Sequence, residues 1–159
     1  MRLALFQPDI PGNVGAILRS CACLGAALDL IEPMGFPWDD KRVRRSAMDY
    51  FDRVRITRHQ GWDAFRAATP GRIVLLTARG AVPITEARFA PDDVIVMGSE
   101  SAGAPDHVHE AAGLRVRIPI AAGLRSLNVS VAAGVALFEA LRQTGSLPGQ
   151  FSNQTELLE

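Results

Sequence analysis

Four groups of residues in this chain have types and spacings that could do chemistry, and most do not pass the test their spacing invites. Gly98 and Gly103 bracket Ser99-Glu100-Ser101-Ala102 with the outer spacing of a phosphate-binding loop. Such a loop needs lysine followed by serine or threonine after the second glycine, so that a cation reaches the phosphates. Ala104 and Pro105 stand there instead. The dinucleotide fingerprint G-x-G-x-x-G follows no strand-like segment either. By spacing alone the glycines make a tight turn or admit another kind of ligand. Cys21 and Cys23 lie two apart in a helical segment, so they point to separate faces and cannot easily bridge. Without a second cluster they are a poor zinc signal, and they read as small buried packing residues. His59 follows a basic strand. His107 and His109 fall in what reads as an exposed first turn of helix, and no histidine has metal-ligand spacing. No metal is expected. The last group is cationic: Lys41, Arg42, Arg44 and Arg45 are packed together, with Arg53, Arg55 and Arg58 close behind. The formal net charge is zero, from 17 basic and 17 acidic residues. A neutral chain with a local basic patch can still bind phosphates there. A solvated helix face would look the same, and charge alone does not choose between them.

The scaffold that must position these groups alternates strand and helix. The chain has 159 residues, 48% apolar and 21% charged, the balance of one ordinary globular domain. No apolar run reaches the roughly 18 residues of a membrane helix. The first eight residues are too short and too soon interrupted for a signal peptide and read as a buried first strand. A cytoplasmic protein with no membrane partner is expected. Apolar runs predict strands at 3–6, 28–31, 54–57, 73–77, 94–97 and 114–118. Helical spacing predicts helices over 13–24, 41–48, 62–68, 105–112 and 127–144. In the last helix Val131, Val135, Phe138 and Leu141 form one stripe, and Ala132, Ala136 and Ala140 a neighbouring one; a core-facing helix is the plain reading. One domain over 1–144 is expected, with a loose polar tail over 145–159. This alternation implies an α/β fold with a mainly parallel sheet flanked by helices. In such sheets ligands bind beyond the carboxyl ends of strands. The loops at 77–80, 98–103 and 119–128 are therefore where a site belongs.

Three segments in those places resemble a known family. Pro8-Asp9-Ile10-Pro11-Gly12-Asn13-Val14-Gly15-Ala16-Ile17-Leu18-Arg19 is similar to the first signature of the SpoU-type SPOUT methyltransferases. Val96-Met97-Gly98-Ser99-Glu100-Ser101-Ala102-Gly103 resembles the second. Ile118-Pro119-Ile120 followed by Ser126-Leu127-Asn128-Val129-Ser130 resembles the third. They occur in order and span nearly the whole chain. The stretch from Glu32 to Arg42 is similar to the branch that methylates the tRNA wobble nucleotide. The sequence departs from that branch at Ala102, Ala104 and Leu127, none of which carries chemistry.

The resemblance implies a SPOUT α/β-knot with a C-terminal trefoil knot, an S-adenosylmethionine cofactor and a homodimer using the first and last helices. It implies 2′-O-methylation of cytidine or uridine 34, with leucine tRNA as the implied substrate and the anticodon stem-loop as partner. The cofactor positions that match are Leu76, Gly98, Ile118 and Ser126. Arg19, Asn128, Asn13 and Glu100 match the catalytic positions, and Lys41, Arg42, Arg44 and Arg45 would grip RNA phosphates. A guanidinium has no lone pair to accept a proton. Arg19 therefore suits binding the target phosphate and stabilising charge on the ribose oxygen, while phosphate or water takes the proton. Asn13 is expected to cap the first helix, Glu100 to shape the cofactor loop, and Asn128 to orient the ribose. Trp38 can stack on an unpaired base or pack beneath its loop. Two alternatives stay open: a SPOUT enzyme acting on rRNA or another tRNA position, and a knotted RNA-binding protein without catalysis.

Overall fold

Continuous apolar runs build the middle of the sheet. The computed structural model describes residues 1–39, 48–79 and 82–149. Among these, β1 (Arg2–Phe6), β4 (Ile73–Leu76) and β6 (Val94–Met97) are almost wholly buried, as strands covered on both faces must be. The other strands are β2 (Ala27–Ile31), β3 (Ile56–His59), β5 (Val82–Pro83) and β7 (Leu114–Arg117). The sheet runs β3-β2-β1-β6-β4-β7-β5, and every strand pair in it is parallel. β1 and β6 lie side by side at its centre, although most of the sequence separates them.

Among the described residues four α-helices cover the two faces. α1 (Pro11–Leu24) opens with proline, whose missing N–H costs nothing in a first turn. It ends at Gly25, whose φ of 70° is left-handed. There the Gly25 N–H reaches the Ala22 carbonyl and the Ala26 N–H reaches the Cys21 carbonyl, a Schellman closure. α4 (Val129–Gln143) packs with α1 over Leu3, Leu5, Leu28 and Leu30. On the other face α2 (Trp62–Ala68) and the short α3 (Asp106–Ala111) bury Phe65 and Val108 against Ala4, Phe6, Leu75 and Val96.

Several expectations shift. β3 lies two residues later than the apolar pattern suggested, because pairing with β2 and not local propensity sets its register. A 3-10 helix (Met48–Arg53) and the short β5 carry no periodic signal. The expected helix over 41–48 falls, but for its last residue, outside the described residues, as does the tail beyond 149. α4 is rotated from the plain reading: Ala133, Ala136, Leu137, Ala140 and Leu141 face the core, while Val131, Val135 and Phe138 stand exposed. Cys21 is buried, but Cys23 is exposed and does no packing. Conversely His109, expected at the surface, is buried on α3, while His107 is exposed.

One buried charge holds three strands together. Asp29 on β2 is fully buried. Arg2 at the start of β1 donates to both of its oxygens, Nε to Oδ2 at 2.8 Å and Nη2 to Oδ1 at 2.6 Å. His59 at the end of β3 places Nε2 2.8 Å from Oδ1. A carboxylate only accepts, so the His59 proton belongs on Nε2. Removing Asp29 strands a guanidinium and an imidazole at a dry site. Asp29→Ala is expected to destabilise the protein by about 3–5 kcal/mol in urea denaturation; a loss of less than ~1 kcal/mol would show that water reaches the cluster.

Candidate active site

The loop after β6 folds back on itself before it meets anything else. Ser99 and Gly103 exchange two backbone hydrogen bonds, at 3.1 and 2.9 Å. Gly103 has a φ of 70°, which favours glycine. A Cβ on Gly98 would lie 2.4 Å from the Gly103 carbonyl carbon and 2.5 Å from the Ala104 nitrogen. Glycine at 98 is thus required by the closure of its own loop.

The closed loop presents Glu100 to the start of α1. Its Oε2 accepts the Asp9 backbone N–H at 2.7 Å, and its Oε1 accepts from Asn13 Nδ2 at 2.9 Å. Asn13 in turn accepts at Oδ1 from Asn128 Nδ2, 3.1 Å away. Asn128 then accepts at its own Oδ1 from the Ser130 N–H at 2.8 Å and from the Ser130 hydroxyl at 2.6 Å. Both ends of this relay are chemically unambiguous: a carboxylate can only accept and a backbone N–H can only donate. The two amide orientations between them are therefore fixed. Asp9 closes the arrangement from the other side, accepting from the Ser101 N–H and hydroxyl. Those two bonds hold its carboxyl below the usual carboxylate range.

Two expected roles change. Asn13 does not cap α1; Ile10 occupies the cap position without a side-chain bond, and Asn13 faces Glu100. Asn128 does cap a helix, α4, and it also binds Asn13. Asp9 and Ser101 were missed. Both lie inside the quoted motif segments, but nothing in their spacing links positions so far apart in sequence.

Beyond the carboxyl ends of β4, β6 and β7 these segments enclose a cavity of about 710 Å³. That volume falls in the range of small-ligand sites. Leu76, Gly98, Ile118 and Ser126 all line it, together with Asn13, Glu100 and Asn128. Arg117 and Arg125 bring positive charge to its wall, and Ile120, Leu124, Leu127 and Val129 bring apolar surface. Arg19 is not in that wall. It is exposed on α1 with its guanidinium 5.1 Å from the Tyr50 ring centroid. Trp38 is half-buried with the Arg58 guanidinium 5.5 Å from its ring centroid. Lys41, Arg42, Arg44 and Arg45 lie outside the described residues. Among the described residues no three His, Cys, Asp or Glu side chains gather as a metal site would require.

A parallel sheet with a ligand-sized cavity beyond its carboxyl edge, walled by main chain and fixed amides, defines an α/β protein that holds a small molecule in its loops. The comparisons with known proteins are specific. The family model described as the SpoU rRNA Methylase family matches residues 1–138. A tRNA (cytidine(34)-2'-O)-methyltransferase of Beijerinckia indica subsp. indica is 53% identical over 148 residues, which is 91% of this chain and 92% of that relative. A structure solved for the 2-OH methylation of C/U34 on tRNA has a TM-score of 0.85 at 40% identity, covering 89% of this chain and 94% of that one. An AdoMet-bound rRNA methyltransferase from Sinorhizobium meliloti has a TM-score of 0.80 at 32% identity, covering 89% of this chain and 55% of its own. The chain belongs to the SpoU family of RNA methyltransferases.

The relay yields a direct test. Glu100→Gln keeps the shape but turns one acceptor into a donor, which must then face either the Asp9 N–H or the Asn13 amide. Flipping Asn13 to compensate sets it against Asn128. The substitution is expected to cost about 1–3 kcal/mol in chemical denaturation, and a variant as stable as the parent would show that the relay does not hold these segments.

Proposed function

We propose that this chain is an S-adenosylmethionine-dependent 2′-O-methyltransferase of the wobble nucleotide, cytidine or uridine 34, of tRNA, with leucine tRNA as its substrate. The observation that carries this is the cavity, where all four matching cofactor positions converge on the fixed Glu100–Asn13–Asn128 relay. The near full-length relative named for cytidine 34 supports the substrate. The rRNA reading has the family description and the S. meliloti neighbour behind it, but this chain spans only 55% of that neighbour.

The cavity suits the cofactor. Its main-chain groups at Gly98 and Ile118 can recognise a base edge, its apolar wall can cover a ring, and Arg117 and Arg125 can meet a carboxylate. When bound, S-adenosylmethionine supplies a methyl group already activated on a sulfonium. What the chain's own residues must do is align and polarise the acceptor hydroxyl. Arg19 is suited to hold the adjacent phosphate and offset charge growing on the ribose oxygen. Because Arg19 stands outside its own chain's cavity, it is assigned to the cavity of a second subunit. The exposed ridge of Val131, Val135 and Phe138 on α4 gives such a homodimer an apolar seam. The trefoil knot and a cytoplasmic location complete this proposal; among the described residues no helix is long and apolar enough to cross a membrane.

Mass spectrometry of tRNA incubated with the protein and S-adenosylmethionine should place one methyl group on the ribose of nucleotide 34. A ribosomal RNA methylated instead would replace this substrate with the alternative. Arg19→Ala is expected to lower turnover by at least about 100-fold, the scale of a lost charge-stabilising donor, with sedimentation and calorimetry showing an intact dimer and unchanged cofactor affinity. Near-normal turnover would remove Arg19 from the mechanism.

A further inference from the structure

β7 is amphipathic in a way that its place in the sheet does not require. Val116 points into the core shared by α1 and α4, with Leu114 packed against it. Arg115 and Arg117 alternate with them and stand exposed on the opposite face. That face is covered by α3 over β4 and β6, but α3 is only six residues long, and its cluster contains no residue of β7. The two guanidiniums therefore sit on open sheet surface. Arg117 also lines the cavity, so the charged strip begins at the cavity wall.

A third cation joins it. Arg79, on the loop after β4, and Arg115 both lie close enough to His109 for their charges to act on it. The Arg79 Nη2 lies 3.1 Å from Asp106 Oδ1, and both side chains are mostly exposed, at 68% and 78%. Such a pair is worth little and yields readily to a better anion. Beneath it His109 is buried with Nδ1 unpartnered. Burial lowers its pKa first, and the charges of Arg79 and Arg115 lower it further, against the opposing charge of Asp106. Next to Asp106, the exposed His107 ring rests edge-on against Trp62 and Phe6, with centroids 6.0 and 5.9 Å away. An exposed ring braced by two others is a ready stacking partner for an unpaired base.

We propose that Arg115, Arg79 and His107 form an RNA-contact surface on the α3 face of the sheet, continuous with the cavity through Arg117. Arg115 and Arg79 take backbone phosphates, and His107 stacks on a base outside the cavity. The assignment rests on the reading that the chain acts on tRNA. The alternation of cations and an exposed aromatic matches single-stranded or loop RNA, whose bases are free to stack.

The two kinds of contact separate by salt. Binding of a tRNA transcript to the full chain should be measured across a salt series for the parent, Arg79→Ala/Arg115→Ala, His107→Ala and Arg88→Ala, the last an exposed arginine beside the amino end of β4. Each lost phosphate contact should flatten the slope of log affinity against log salt by about 0.7–0.9, hence ~1.4–1.8 for the double variant. Arg79→Lys/Arg115→Lys should restore most of it. His107→Ala should weaken binding about fivefold or more without changing the slope. Cofactor affinity and the Arg88→Ala slope should stay at parental values. If the parent binds and methylates tRNA while both test variants keep parental slope and affinity, this surface is refuted and the function stands. If the parent binds no RNA, the functional reading fails and takes this surface with it.

Discussion

A single carboxylate organises the working edge of this protein. Glu100 accepts the Asp9 backbone N–H with one oxygen and the Asn13 amide with the other. Through Asn13 the same constraint reaches Asn128 and the first turn of α4. Three segments distant in sequence are thus locked by bonds whose direction cannot be reversed locally. Everything else at this edge depends on that lock. The loop after β6 can present its main chain to a ligand only while it is held, and the long exposed segment before α4 is anchored at Asn128. Fixed polar groups surrounding a cavity are what a catalyst that works by positioning needs.

The two faces of α4 divide between the core and the surface. The alanines at 133, 136 and 140 let α4 lie close on the core beside α1, with Leu137 and Leu141 filling the remaining volume. The bulkier Val131, Val135 and Phe138 are turned away from that core. Large apolar side chains held in water across successive turns are costly to a lone chain, which is why they are read as a seam between copies. The buried Asp29 cluster sits on the opposite side of the sheet, pinning β1, β2 and β3.

Much of the fold was legible in the residues because it rests on local signals. β6 and α2 occupy the residues their patterns predicted, since a wholly apolar run and a helix stopped by Pro70-Gly71 need no distant partner to declare themselves. β3 was misplaced because its bounds come from hydrogen bonds to β2. α4 was found but rotated, as two apolar stripes of similar breadth leave the core-facing one undecided. The motif residues were found by resemblance, and among the described site residues all but Arg19 line the cavity. Their pairing was not legible. Glu100 lies 87 residues from Asn13, and Asn13 lies 115 from Asn128. No periodicity reports that three short polar side chains meet in one line. The same holds for Gly98, where an added Cβ would collide with the backbone of its own loop.

The two cysteines, unremarked in the chemistry above, differ sharply as reagents. Burial, with the Asp29 charge behind it, pushes the Cys21 thiol up to about 12, so it carries almost no thiolate and resists alkylation. Cys23 is exposed on the same helix, one turn beyond Arg19. The unaltered chain therefore offers a maleimide one addressable sulfur, and an attached fluorophore would sit beside the arginine assigned to the nucleic-acid phosphate. Arrival of RNA, or a second copy covering that stretch of helix, becomes an optical signal without engineering the sequence.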